Sequence, residues 1–96
     1  MKGFRLTSAA QLDLEEIRAY IAQRSPDAAD RVLQRLLDAI ERLTRTPGIG
    51  HVRPELDDSL RVWTVQPYLI IYRPDTDPLQ VIRVVSGYRD LWHIPV

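Results

Sequence analysis

The pattern of apolar and polar positions changes its period several times along this chain of 96 residues. Phe4 and Leu6 alternate with polar or small neighbours, which predicts a short first strand. From about Ala9 to Gln23 the apolar residues recur at helical spacing, and Ser8, with Gln11 three positions later, has the spacing of a capping box. This helix is predicted to bury one apolar face and to turn its charged residues to water. The charged residues placed in this way are Asp13, Glu15, Glu16 and Arg18.

A second helix is predicted directly after the first. Ser25 can cap it, Pro26 fits its first position, and its apolar stripe continues to about Arg45. Because only a tight corner at Arg24 and Ser25 separates the two patterns, the helices are predicted to form an antiparallel hairpin. Acidic residues precede basic ones by four positions on this helix, which predicts ion pairs along its surface. These pairs are Asp27–Arg31, Asp38–Arg42 and Glu41–Arg45.

Three apolar runs in the second half of the chain are typical of strands. They follow a helix stop at residues 46–50 and a polar, irregular stretch that extends to Ser59. The runs are Leu60–Val65, Tyr68–Arg73 and Leu79–Ser86. Because short connections join these runs, they are predicted to form an antiparallel meander, with the doubly apolar run 68–72 in the middle of the sheet.

The order of the elements predicts an α+β fold. An N-terminal strand and a two-helix hairpin precede the three-stranded antiparallel meander, and all strands are expected to join in one antiparallel sheet. The hairpin is expected to cover one face of the sheet, and the other face is expected to be partly open and available to a partner. A length of 96 residues suits one domain, so residues 1–96 are predicted to form a single domain.

The composition narrows the chemistry. Lys+Arg and Asp+Glu both number 13, and this neutrality argues against direct, sequence-specific binding of nucleic acid. The chain has no cysteine, which excludes disulfides, thiolate metal sites and cysteine nucleophiles. It has two histidines, His51 and His93, far apart in the sequence, so neither a metal nor an organic cofactor is predicted.

No apolar run resembles a signal peptide or reaches the roughly 20 residues that span a bilayer. The expectation is therefore a cytoplasmic protein with no membrane partner. Among the 13 basic residues only Lys2 is a lysine, and the rest are arginines. Arginine suits the recognition of carboxylates and phosphates and the anchoring of protein interfaces.

Short motifs occur in a fixed order along nearly the whole chain. They begin with Leu6-Thr7 and Ala10 and end with Gly87-Tyr88-Arg89-Asp90. Between these lie Asp13-Leu14, Ile17, Tyr20-Ile21-Ala22, Ala28, Ile40, Leu43, Pro47, Gly50, Arg53-Pro54-Glu55-Leu56, Leu60-Arg61, Tyr68, Ile70-Ile71-Tyr72-Arg73 and Ile82-Arg83-Val84-Val85. In this arrangement the sequence resembles the RelE/ParE toxin family, also called the plasmid-stabilisation family, and lies nearer its ParE branch. The resemblance implies an antiparallel sheet packed against a helical hairpin, a toxin function and an antitoxin partner.

The two branches of this family differ in chemistry. RelE-like members are ribosome-dependent mRNA endonucleases that place several basic residues around the scissile phosphate, whereas ParE-like members are similar to inhibitors of DNA gyrase. This sequence has Leu69 where nuclease members often have an arginine, no tyrosine after Arg89, and no lysine in the loop before Leu60. The resemblance therefore implies a toxin that acts by binding DNA gyrase rather than by catalysis.

The implied partner is a cognate antitoxin whose disordered C-terminal segment folds on contact, which gives a hetero-oligomer. Two alternatives stay open at this point. One is a RelE-like ribosome-dependent mRNA endonuclease. The other is a family member that has lost its toxicity and survives as a binding module.

Candidate partner-binding residues lie on the predicted strands and in the C-terminal tail. They are Arg61, Arg83, Tyr88, Arg89 and Trp92. Trp92 is included because tryptophan is enriched at binding hot spots, and an apolar tail either docks on its own domain or meets a partner. No catalytic residue is predicted, since a lone tail histidine such as His93 is usually solvated.

Simpler interpretations exist for several of these residues. Arg83 is more simply a strand arginine, either exposed to water or paired with a nearby carboxylate. The carboxylates considered are Asp57, Asp58, Asp75 and Asp90. Tyr88 packs over the sheet edge in the alternative interpretation. For Arg61 and Arg89 the resemblance leaves partner binding and ordinary exposure equally open.

Overall fold

The computed structural model describes residues 3–96, and the first two residues of the predicted domain lie outside this range. The chain folds into an α+β structure with two helices and a four-stranded sheet. The strands are β1 (Phe4–Leu6), β2 (Arg61–Val65), β3 (Tyr68–Arg73) and β4 (Leu79–Ser86), and the helices are α1 (Ser8–Ala22) and α2 (Pro26–Arg45). Short 3-10 turns follow α2 at Pro47–Ile49 and β4 at Leu91–His93. Within the described chain, no helix is long and apolar enough to span a membrane.

Of the two predicted N-cap residues, one caps its helix in the structure and the other does not. Ser25 caps α2 as predicted, because its hydroxyl accepts a hydrogen bond from the Ala28 N–H at 3.1 Å. The predicted Ser8 cap is wrong, because α1 begins one residue earlier and Thr7 is the cap, accepting from the Ala10 N–H at 3.0 Å. The Thr7 hydroxyl also donates to the Ile82 carbonyl at 2.7 Å, so a tertiary contact with β4 selects the capping residue.

The sheet has the order β1-β4-β3-β2. Strands β2, β3 and β4 form the predicted antiparallel meander, and the apolar run of β3 lies inside the sheet. The expectation of a wholly antiparallel sheet is wrong, because β1 pairs with β4 in parallel, with Phe4 opposite Leu79 and Leu6 opposite Val81. The helical hairpin lies between β1 and β2 in sequence, and the chain returns to β1 only with its last strand.

Each face of the sheet carries a buried apolar cluster. The hairpin covers the first face, where Leu36, Ile40 and Leu43 of α2 are fully buried. The second face was expected to be partly open, and this expectation is wrong. The loop before β2 and the C-terminal tail cover it with apolar side chains. The buried residues of this second cluster are Leu56, Leu60, Val62, Leu69, Ile71, Ile82, Val85, Leu91 and Ile94.

The ion pairs predicted along α2 are not formed. Within residues 3–96 the ion pairs join Arg18 to Asp30, Arg53 to Glu55, Arg83 to Asp13 and His93 to Asp90. Asp38 accepts from Gln34 at 2.8 Å, and the Arg42 guanidinium lies 5.5 Å from the centre of the Trp63 ring. An exposed i,i+4 pair is worth only about 0.2–0.5 kcal/mol, so a contact with a tryptophan ring can replace it.

Candidate partner-binding site

Strand β4 is longer than the strand beside it, and this difference creates the site. The pairing of β1 with β4 ends at Leu6 and Val81, while β4 continues to Ser86. Thr7 closes this end of the pairing, because its N–H donates to the Val81 carbonyl at 3.1 Å. Beyond this point, no strand of residues 3–96 lies beside the outer edge of β4, which faces α1 instead.

Asp13 of α1 takes up the first part of this open edge. The residue was predicted to face water, which is wrong, since it is only 7% exposed. Its carboxylate accepts from Arg83 Nε at 2.7 Å and from Arg83 Nη2 at 2.8 Å. It also accepts from the backbone N–H of Val84 at 2.9 Å, as a neighbouring strand would. One acidic side chain therefore accepts hydrogen bonds from both an arginine side chain and a backbone N–H of β4.

Arg83 is held by groups from two sides of the molecule. Its hydrogen bonds with Asp13 raise the pKa of its guanidinium, against a smaller opposing effect of burial. Its Nη1 donates to the Pro95 carbonyl at 3.0 Å, which ties the C-terminal tail to β4. The expectation that Arg83 is exposed or paired with one of four nearby aspartates is wrong, because its partner lies 70 positions earlier in the sequence.

The next part of the β4 edge is unoccupied by the rest of the described chain. Backbone groups of alternate residues point to the same edge of a strand, so the groups of Val84 and Ser86 both point away from β3. The Ser86 carbonyl accepts from the Arg89 N–H at 3.0 Å. Because the pairing of β1 ends at Val81, no strand of residues 3–96 lies opposite the outward Val84 carbonyl and Ser86 N–H, and neither group bonds to a side chain or loop of this range. These two groups are free to bind another chain.

A groove with a volume of about 350 Å³ lies beside this edge. We call it the α1–β4 groove. It is lined by α1, by the end of β4 with the following turn, and by the β2–β3 connection. The lining residues are Asp13, Glu16, Ile17, Tyr20, Pro67, Tyr68, Val84, Val85, Ser86, Tyr88 and Arg89.

Two exposed aromatic side chains line the groove. Tyr20 is 75% exposed and Tyr88 is 88% exposed. Glu16 and Arg89 are also exposed, and neither has an ion-pair partner among the described residues. The groove thus combines unpaired backbone groups, apolar rings and two charges of opposite sign.

The five candidate residues do not form one cluster. Tyr88 and Arg89 line the α1–β4 groove, and Arg83 lies next to it through its contact with Asp13. Arg61 lies at the start of β2, opposite Tyr72 of β3 and away from the groove. Its Nη1 donates to the Gly50 carbonyl at 3.4 Å. Trp92 lies in the tail, where its side chain is 67% exposed.

The two histidines lie outside the groove. His93 Nδ1 lies 2.6 Å from Asp90 Oδ2, and this contact lowers the pKa of the Asp90 carboxyl. His51 stacks on Trp63, with ring centres 6.4 Å apart. In residues 3–96, no group of three or more histidine and carboxylate side chains is placed to hold a metal ion.

Sequence reasoning missed the α1 wall of the groove. The missed residues are Asp13, Glu16, Ile17 and Tyr20. A signal was available for Asp13, which lies three positions after Ala10 and four before Ile17 and so falls within the buried stripe of α1. An acidic residue at such a position needs a buried basic or hydrogen-bonding partner.

Comparisons with known proteins agree with this fold. Residues 4–91 match the family described as the ParE toxin of the type II toxin–antitoxin system parDE. The putative toxin Y4kP of Sinorhizobium fredii is 36% identical over 92% of this chain and 91% of its own length. Toxin RelE3 of Caulobacter vibrioides is 28% identical over 88% of this chain and 92% of its own length.

Two further relatives extend the comparison. Toxin ParE3 of Caulobacter vibrioides is 29% identical over 66% of this chain and 63% of its own length. A solved chain of the chromosomal ParDE system from P. aeruginosa superposes with a TM-score of 0.73, at 22% identity, over 90% of this chain and 96% of that one. The relatives carry both RelE and ParE names, but the family match covers almost the whole fold. The chain belongs to the ParE toxin family of type II toxin–antitoxin systems.

Proposed function

We propose that this ParE-family toxin acts by binding DNA gyrase and that its cognate antitoxin neutralises it by placing a segment in the α1–β4 groove. The observation that carries the second part is the unoccupied backbone edge at Val84 and Ser86, beside the exposed rings of Tyr20 and Tyr88. Unpaired strand edges and exposed apolar surface are the features to which extended peptide segments bind.

The groove suits a segment that is disordered before binding. Such a segment gains main-chain hydrogen bonds from a free strand edge and fixes its register through side-chain contacts. The groove offers both, since Val84 and Ser86 supply backbone groups and Ile17 supplies an apolar wall. The tail residue Trp92 and the distant Arg61 are proposed as separate contacts with a partner, because they lie outside the groove.

The gyrase target is proposed from the family and from the sequence. The match to the ParE family supports it, as do Leu69 and the absence of lysine from the loop before β2. The second candidate is ribosome-dependent mRNA cleavage, which the similarity to the toxin named RelE3 favours. Arg61, Arg89 and His93 would have to act together in such a reaction. Arg61 instead reaches Gly50, and His93 pairs with Asp90.

Two assays separate the candidates. Purified chain is added to gyrase, relaxed plasmid and ATP, and supercoiling is measured with and without prior addition of the antitoxin. The proposal predicts inhibition or trapped gyrase–DNA breaks with the chain alone, and recovery when antitoxin is added first. In parallel, primer extension on mRNA from cells that express the chain should find no codon-phased cleavage. Codon-phased cleavage with unaffected supercoiling would establish the nuclease, and unaffected growth would indicate a binding module without toxicity.

A further inference from the structure

The free groups at the β4 edge also define the direction in which a segment binds. We propose that the antitoxin segment enters the α1–β4 groove as a strand parallel to β4, in line with β1, with a basic side chain near Glu16 and an acidic side chain or C-terminal carboxylate at Arg89. This inference rests on the proposed function, because it assumes that the groove is the antitoxin site.

Hydrogen bonds already made at the edge disfavour the antiparallel direction. In each hydrogen-bonded pair of an antiparallel ladder, the two opposed residues exchange two N–H···O=C hydrogen bonds. The Val84 N–H is already donated to Asp13, and the Ser86 carbonyl already accepts from the Arg89 N–H. An antiparallel strand therefore finds no free donor at Val84, and at Ser86 it has to share a carbonyl that already accepts from Arg89.

A parallel strand uses the two groups that remain. In parallel pairing, one residue donates its N–H to a carbonyl on the neighbouring strand and accepts from the N–H two residues further along that strand. The Val84 carbonyl and the Ser86 N–H stand in this relation on either side of Val85. The β1–β4 pairing has the same direction, with the Leu79 N–H donating to the Gly3 carbonyl at 2.9 Å.

The charges along the groove give the segment its polarity. Thr7, at the start of α1, bonds to Ile82, and Asp13, further along the helix, bonds to Val84, so α1 runs in the same direction as β4. Tyr20 lines the same groove as Tyr88 and Arg89. Glu16 lies about one helical turn after Asp13 and one before Tyr20. Because Arg83 already neutralises Asp13, the unpaired charges that a parallel segment meets are first Glu16 and then Arg89. The complementary order is basic, then apolar, then acidic.

Paramagnetic labelling tests this direction on the full-length chain. The probe is the acetylated peptide Lys-Val-Thr-Leu-Thr-Val-Glu, and the matched control is the peptide with the reversed order. Each carries a nitroxide on an added cysteine, placed either before its first residue or after its last residue, and line broadening of the backbone amides of the isotope-labelled chain is measured. The proposal predicts that a label before the first residue of the forward peptide broadens Val84 and Asp13, and that a label after its last residue broadens Tyr88 and Arg89.

Affinity adds an independent readout. The reversed peptide should bind about tenfold more weakly, which is the change expected when two exposed charge contacts turn from attraction to repulsion. The variant Arg89→Glu should remove this preference, and Arg31→Glu, an exposed arginine on α2 without an ion-pair partner in the described chain, should keep it.

The possible outcomes separate the two proposals. A broadening pattern opposite to the predicted one overturns the parallel direction while leaving the groove as the binding site. Broadening that is absent from α1 and β4, with peptide bound elsewhere, overturns the assignment of the groove itself. Equal affinities for the two peptides overturn the charge order.

Discussion

The Asp13 carboxylate accepts two hydrogen bonds from the Arg83 guanidinium, one on each oxygen, at 2.7 and 2.8 Å. The contact lies where β1 would run if it continued along β4. The same carboxylate accepts the Val84 N–H, so α1 replaces a strand at the edge of the sheet for one residue. Because Arg83 also holds the Pro95 carbonyl, the contact joins α1, β4 and the tail. The free part of the edge, and with it the α1–β4 groove, begins directly beyond this contact.

Removal of the Asp13 carboxylate should destabilise the fold strongly. The variant Asp13→Ala leaves a largely buried guanidinium and the Val84 N–H without an acceptor, and we expect a loss of about 3 kcal/mol in the free energy of unfolding. Urea denaturation measures it. The control is Glu15→Ala on the exposed side of the same helix, which should change the free energy by less than about 0.5 kcal/mol. Equal effects of the two substitutions would mean that the contact is not formed in solution.

Tyr72 should give the fold a dependence on alkaline pH. Its buried hydroxyl donates to the Pro47 carbonyl at 2.6 Å and accepts from the Gly50 N–H at 3.0 Å, and burial raises the pKa of this phenol. The unfolded chain therefore loses this proton first, so stability is full below the ordinary tyrosine pKa and falls as the pH rises above it. Tyr72→Phe should cost about 1–2 kcal/mol at neutral pH and should weaken this alkaline fall. An unchanged alkaline profile in the variant would assign the fall to other groups.

Gly50 should not tolerate even a methyl group. A Cβ atom at this position would collide with the Tyr72 ring and hydroxyl, whereas a Cβ at Gly48 would meet nothing within 4 Å. We expect Gly50→Ala to destabilise the chain by about 1–3 kcal/mol and Gly48→Ala to be close to neutral. Thermal unfolding of the two variants, followed by circular dichroism, compares them directly. A similar melting temperature for both would contradict the close approach of residues 50 and 72.

Two neighbouring tail residues should have different roles, one in the stability of the fold and the other in the binding of a partner. Leu91 is 3% exposed within the second apolar cluster, and Trp92 is 67% exposed. Leu91→Ala should cost about 2–4 kcal/mol of unfolding free energy. Trp92→Ala should leave the unfolding free energy nearly unchanged and weaken the complex with a protein partner, which calorimetric titration of the antitoxin and of gyrase can measure. Full affinity of the Trp92 variant for both proteins would remove this residue from the binding surface.

Local chemistry explains which parts of the fold could be predicted. The start of α2 is set by Ser25 and Pro26, whose effects act within one turn, and its prediction is confirmed. The start of α1 depends on Thr7 rather than Ser8, because Thr7 also bonds to β4, and such a distant contact leaves no trace in local spacing. The parallel pairing of β1 has the same origin, since strand composition does not define the direction of a partner strand.

The site was harder to predict than the fold. Tyr88 and Arg89, which the sequence offers as partner-binding candidates, line the groove. On α1, Glu16 looks like an ordinary exposed helix residue in sequence, and Tyr20 lies beside the apolar stripe, although its side chain is exposed in the structure. The sequence did not predict that the second sheet face is covered, because Leu91 and Ile94 lie in a tail whose apolar residues follow no regular spacing. A groove between two elements distant in sequence is defined by their packing, which single-residue patterns do not encode.

Calorimetric titration of the chain with its cognate antitoxin tests the α1–β4 groove most directly. Charge reversal at the groove, Arg89→Glu, should weaken binding by about tenfold or more. The same reversal on α2, Arg31→Glu, should leave the affinity within about twofold of the unmodified chain, because both side chains are exposed and without ion-pair partners within residues 3–96. Unchanged affinity for the Arg89 variant, or an equal loss in both variants, would contradict the assignment of the groove as the antitoxin site.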